Sequence, residues 1–248
     1  TKFSKVSIFS DLNQLQDISF SRKYSNICGI TDQELRENFE RDVYDLSQVQ
    51  KTTEAECYDR LKRTYDGYHF SYESEGVYNP YSLISALSDQ KFSSYWFSTG
   101  TPSFLIKKLN EIGFDAKEFT SGKLYADEIT LSDYRADNKN PIPLFYQTGY
   151  LTIKGYDSRF ESYMLEYPND EVKYSFIKCL APSYLHREEK TPLDIRNFGR
   201  DIEQGDLNKI KDRFVEIFAR LPYSNDEKYV ERDFQNVIYI NLKVFADV

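Results

Sequence analysis

Residues 65–87 read "YDGYHFSYESEGVYNPYSLISAL", and the way this run divides sets the architecture on both sides of it. Asn79-Pro80 is a helix start: Asn is a good N-cap, and the proline ring sits where its missing N–H costs nothing. Upstream, Thr53 and Glu56 form a capping box for "TEAECYDRLKRTY", in which Cys57, Leu61 and Tyr65 fall on one helical face. Gly67 is placed to end that helix. The aromatic run is therefore a corner between two helices.

Working outward, Thr31 and Glu34 give a second capping box ahead of "TDQELRENF", and Thr101-Pro102 opens "SFLIKKL" as Asn79-Pro80 opens its helix. The pattern changes after about residue 125. A helix-like run ends at Gly149, "YLTIKGY" and "SYMLEY" fit strands on either side of "DSRFE", and Asn169 caps a further helix with Asp170 and Glu171 in its first turn. Helix, hairpin and helix in this order suit a winged-helix-like unit. Gly205-Asp206 separates two later helices, and Phe234, Val237, Ile238, Asn241, Leu242 and Phe245 keep helical spacing in a last one. The predicted fold is mainly α with a small α+β part: a helical lid, a winged-helix-like module and C-terminal helices. The division read from the chain is 1–50, 51–125, 126–190 and 191–248.

A net charge of −8 gives no overall positive field to draw in nucleic acid. Cys28, Cys57 and Cys179 match no metal spacing, and three scattered thiols suit a reducing compartment. No export leader or long apolar run is present, so the expected location is cytoplasmic and off the membrane. Aromatic residues make up 16% of the chain, 21 of them tyrosines, which fits either a core filled with rings or a ring-lined binding face.

Motifs for chemistry are missing. The only Gly-Lys pair, Gly122-Lys123, is followed by Leu124, and Lys117 stands where a P-loop needs its first glycine. Two histidines, His69 and His186, do not make a zinc motif. The acid-x-Lys triplet Glu171-Val172-Lys173 resembles half of a nuclease site. Asp115-Ala116-Lys117, Asp137-Asn138-Lys139 and Glu188-Glu189-Lys190 match it equally well, and Glu171 falls on a helix instead of the strand such a site requires. No catalytic or metal-binding residue is assigned.

The ordered series "TKFSKVSIFSDLNQLQDISF", "YDGYHF", "VYNPYSL", "YWFSTGTPSFLI", "LFYQTGYLTIKGYD" and "YPNDEV" resembles the bacterial AAA-ATPase-like family, whose members often carry a C-terminal PD-(D/E)XK nuclease domain. Asp11 departs from a common glycine, and Ser98 from a common acidic residue. The resemblance implies that this chain follows the Walker motifs and precedes the nuclease, so that it reads as a piece of something longer. Its partners are then an upstream ATPase core and a downstream nuclease domain of the same polypeptide. It further implies ATP and Mg in the intact protein, with neither held by this segment alone. Lys2, Ser4 and Lys5 would stand near the phosphates, and Tyr65, Asp66, Gly67 and Tyr68 would form a lid contact. The expected function is a regulatory lid and coupling segment. The alternatives are a winged-helix nucleic-acid-binding module and a tyrosine-rich protein that binds a partner or a carbohydrate.

Overall fold

The computed structural model describes residues 18–99, 103–112, 124–132, 139–185 and 191–219, with Gln235 and Ile238. These residues are mainly helical with one small antiparallel sheet, as the sequence predicts. Most of the expected last helix lies outside the described residues.

Helices α1 (Asp32–Asn38), α2 (Glu40–Gln50), α3 (Glu54–Tyr65) and α4 (Pro80–Ser88) follow in order, and α1, α3 and α4 begin where local chemistry says they should. The Thr31 hydroxyl accepts from the Glu34 amide at 3.1 Å, and the Glu34 carboxylate accepts from the Thr31 amide at 2.8 Å. Thr53 and Glu56 repeat the exchange at 3.2 and 2.8 Å. Asn79 Oδ1 accepts from the Tyr81 and Ser82 amides at 3.0 and 3.3 Å, capping α4 behind its proline. Each device satisfies amide donors that the first helical turn leaves without a partner. Leu35, Leu46, Leu61 and Leu83, one from each helix, are fully buried in a common core with Cys57 and Tyr65.

Two isolated bridges fold the corner back on this core. Tyr68 and Val77 exchange both backbone hydrogen bonds, at 3.2 and 2.9 Å, and Ile30 and Tyr78 do the same at 3.2 and 2.8 Å. After α5 (Tyr95–Thr99) and α6 (Ser103–Ile112) come β1 (Leu124–Ala126), α7 (Glu128–Ser132), α8 (Ile142–Gln147), β2 (Thr152–Asp157) and β3 (Ser162–Glu166). The strand order is β1-β3-β2. The hairpin β2–β3 was legible, whereas β1 adds a third strand that the sequence reading did not include.

The hairpin carries a bulge: Ile153 pairs with Leu165 and Gly155 with Met164, so Lys154 is the extra residue. A bulge re-aims the side chain at that position, and here it turns a lysine toward the corner. Helix α9 (Asp170–Leu185) starts at Asn169, whose side chain accepts from the Val172 amide at 3.1 Å. Helices α10 (Thr191–Glu203) and α11 (Leu207–Phe218) follow, separated by Gly205 at φ +66° and Asp206, which accepts from the Lys209 amide at 3.1 Å.

The described residues fall into two compact units. The first contains 18–99, 124–132 and 139–173, so α1 to α4 share it with the sheet. Hydrogen bonds spanning more than eighty residues of sequence, from Thr152 and Lys154 to the corner, hold those parts together. The second contains 103–112, 174–185 and 191–219. In it Phe198 meets Phe214 edge-on at 5.2 Å, and the Arg213 guanidinium pairs with the Asp201 carboxylate. No helix among the described residues is long and apolar enough to cross a membrane.

Candidate functional site

The corner sorts its four expected contact residues into different environments. Tyr65 is fully buried, stacked on Phe92 with ring centres 6.2 Å apart. Its hydroxyl donates to the Ser93 carbonyl at 2.8 Å and accepts from the Ser93 amide at 2.9 Å, so it is a core residue whose polar tip is satisfied. Asp66 is also buried, and its amide closes α3 on the Lys62 carbonyl at 3.1 Å. Burial pushes its carboxyl above the usual range, and the Gly67 amide and Lys62 oppose that shift.

Gly67 has φ +99°, and a Cβ there would stand 2.2 Å from the Pro168 carbonyl oxygen. Only glycine fits both the conformation and the approach. The Lys154 ammonium spans the same place, donating to the Gly67 carbonyl at 2.7 Å and the Pro168 carbonyl at 3.2 Å. Burial lowers the lysine pKa, while Asp66 and Glu166 pull it back up.

Tyr68 alone of the four lines an open cleft of about 650 Å³, a size suited to a small ligand. Residues 18–20, Tyr24, Ile27 and Cys28 line the same cleft, as do His69, Asn79 and Trp96, and Tyr146 through Gly149. Burial pushes the Tyr68 phenol above its ordinary pKa, and a hydrogen bond from the Asn79 side chain opposes this. His69 is pinned at three points. Its amide donates to the Thr152 hydroxyl at 2.7 Å, its carbonyl accepts from that hydroxyl at 2.9 Å, and Nδ1 lies 2.9 Å from the Ser74 carbonyl. Burial, helped by the Lys154 charge, holds its pKa below the ordinary histidine value, so the ring is neutral at pH 7.

The Trp96 amide donates to Glu171 Oε1 at 2.8 Å. Glu171 is therefore a buried carboxylate facing the start of α5. Burial raises its pKa, against the Ser82 hydroxyl and the amides of Trp96, Phe97 and Tyr95. This is its role in the fold, in place of the nuclease-like one its triplet suggested. Lys2, Ser4 and Lys5 lie outside the described residues. Among the described residues no group of three or more His, Cys, Asp and Glu side chains is arranged to hold a metal ion. The sequence reading missed the wall made by residues 18–20, Tyr24, Ile27 and Cys28, as well as Trp96 and the Gln147–Gly149 turn. For the turn, the helix stop at Gly149 was the available signal.

The chain is 32% identical over 228 residues to a protein of Azotobacter chroococcum mcd 1 described as "Uncharacterized protein in vnfD 5'region". The match takes in 90% of this chain and 41% of that relative. No family model matches the chain, and no solved structure matches it. The chain thus spans less than half the length of the relative it resembles.

Proposed function

We propose that this chain is the regulatory lid and coupling segment of an ATP-binding, AAA-ATPase-like protein linked to a nuclease domain, and that it is not catalytic by itself. The observation that carries this reading is the shared cleft. Ile18, Ser19 and Phe20 close the run that resembles the end of an ATPase core, and with Tyr24, Ile27 and Cys28 they line one cavity with Tyr68 and Asn79 of the corner. A ligand in that cavity touches both, which is what a lid that senses its nucleotide has to arrange. The match to 41% of a longer relative fits a segment inside a larger polypeptide.

In this reading the ATPase core lies upstream and the nuclease downstream, and Lys2, Ser4 and Lys5 approach the phosphates. Mg accompanies ATP in the intact protein, which works in the cytoplasm. The test is Mg-ATP binding and hydrolysis by the full-length protein. Binding that falls about tenfold in Tyr68→Ala is expected; a full-length protein that neither binds nor hydrolyses ATP ends the proposal.

A second reading rests on Tyr72 and Tyr156, which are exposed and stacked at 4.9 Å. Such a pair suits a carbohydrate or protein partner. Binding of either that is lost in Tyr72→Ala, with ATP binding intact, would favour it. The winged-helix alternative is weakened by the first turn of α9, which carries Asp170 and the buried Glu171 where a groove-binding helix needs cations.

A further inference from the structure

We propose that the cleft is a site for an uncharged, flat, nucleoside-like ring, recognised by its faces and edge and not by any attached charge. The inference rests on the same cleft as the coupling reading and deepens it, since it assigns to these residues the ring end of the ligand alone.

Shape comes first. Phe20 is stacked near-parallel to Tyr146 at 6.3 Å and to Tyr163 at 5.4 Å, so its ring is held by others. Trp96 meets Tyr150 edge-on at 5.2 Å, and its backbone is tied to Glu171. Aromatic walls fixed in this way favour a flat, apolar guest, because the lining side chains lose little freedom when the cleft is filled.

Charge comes second. No Asp, Glu, Lys or Arg is among the described residues lining the cleft, and its one histidine is neutral at pH 7. The chain carries −8 overall. The described lining therefore gives an anionic group no cation to pair with, and its desolvation against these residues would be uncompensated.

Polar placement comes third. Asn79, which lines the cleft with Tyr68, commits its Oδ1 to the α4 cap. The Tyr68 hydrogen is then left to donate to an acceptor on the ring. Gln147 gives its amide N–H to the Leu131 carbonyl at 2.9 Å, which turns its oxygen into the acceptor it can offer.

Trp96 is the only tryptophan in the chain, so its emission reports occupancy of the cleft directly. The experiment titrates the 248-residue chain with adenosine and, separately, with ATP. The expected result is saturable quenching by both, with an adenosine dissociation constant unmoved between about 0.1 and 0.5 M salt and ATP bound at least as tightly. Tyr68→Phe should weaken adenosine about tenfold with its melting temperature unchanged. A variant that melts early is replaced by Gln147→Glu, whose new charge at the rim should weaken ATP more than adenosine. Quenching by ATP alone, or no saturation with adenosine, overturns the proposal. If adenosine binds and full-length protein ignores ATP, this inference stands and the coupling reading falls. If full-length protein hydrolyses ATP while adenosine leaves Trp96 unchanged, the reverse holds.

Discussion

The ammonium of Lys154 lies 2.7 Å from the carbonyl oxygen of Gly67, joining a hairpin bulge to a helix corner 87 residues away in sequence. The same nitrogen also serves Pro168, so one side chain satisfies two backbone carbonyls drawn from different elements. Removing it strands both.

Lys154→Met keeps the aliphatic stem and deletes the donor. Loss of two hydrogen bonds to a charged donor is partly offset by removing a desolvated charge, and the expected destabilisation is about 2–3 kcal/mol. Urea denaturation measures it. A change under about 0.5 kcal/mol would mean that water replaces the ammonium without cost.

Gly67→Ala and Gly205→Ala form a matched pair. Both sites have positive φ, but a Cβ at Gly67 would clash with Pro168 whereas one at Gly205 meets nothing within 4 Å. Gly205→Ala should cost about 1 kcal/mol for backbone strain alone, and Gly67→Ala about 3 kcal/mol or more. Equal costs, read from thermal melts, would show that the corner relaxes.

Asp66→Asn tests the electrostatics. The folded-state pKa of Asp66 is raised, so its contribution to stability is full below the unfolded value and is lost as pH rises through the folded one. The folded-state pKa of His69 is lowered, so its contribution is full above the unfolded value and is lost as pH falls through the folded one. The two oppose each other between about pH 4 and 6.5. Asp66→Asn should therefore be more stable than the parent near pH 7, with the two curves converging as pH falls to about 4. Denaturation midpoints across that range decide it, and curves that stay parallel contradict the assignment.

Glu171→Gln and Glu171→Ala separate charge from hydrogen bonding. The raised pKa says that the site disfavours the charge, and a Gln oxygen can still accept from the Trp96 amide. Glutamine should lie within about 1 kcal/mol of the parent, and alanine should cost about 2–3 kcal/mol. Trp96 emission should shift in the alanine variant alone.

What the sequence disclosed is what short spacing encodes. The Thr31–Glu34 and Thr53–Glu56 boxes, the Asn79 and Asn169 caps and the Gly149 and Gly205 stops each depend on a few neighbouring residues, so the local pattern is the whole cause. The Cys57–Leu61–Tyr65 face is buried for the same reason. The site is another matter. Thr152 with His69, Lys154 with Gly67 and Glu171 with Trp96 meet across 75 to 87 positions, and no periodicity announces such pairs. Tyr65 and Tyr68 look alike on paper. A turn of the backbone at Gly67 sends one ring into the core and the other to the cleft.

The bulge has a last implication for chain length. Deleting a single strand residue ordinarily swaps every following side chain between faces and ruins the pairing. Here the surplus residue is Lys154 itself, and without it Ile153, Gly155 and Tyr156 would alternate as a plain ribbon opposite Leu165, Met164 and Tyr163. A shortened chain would keep its sheet and lose only the fastening at the corner, so at this one position an excision is gentler to the architecture than to whatever the corner serves.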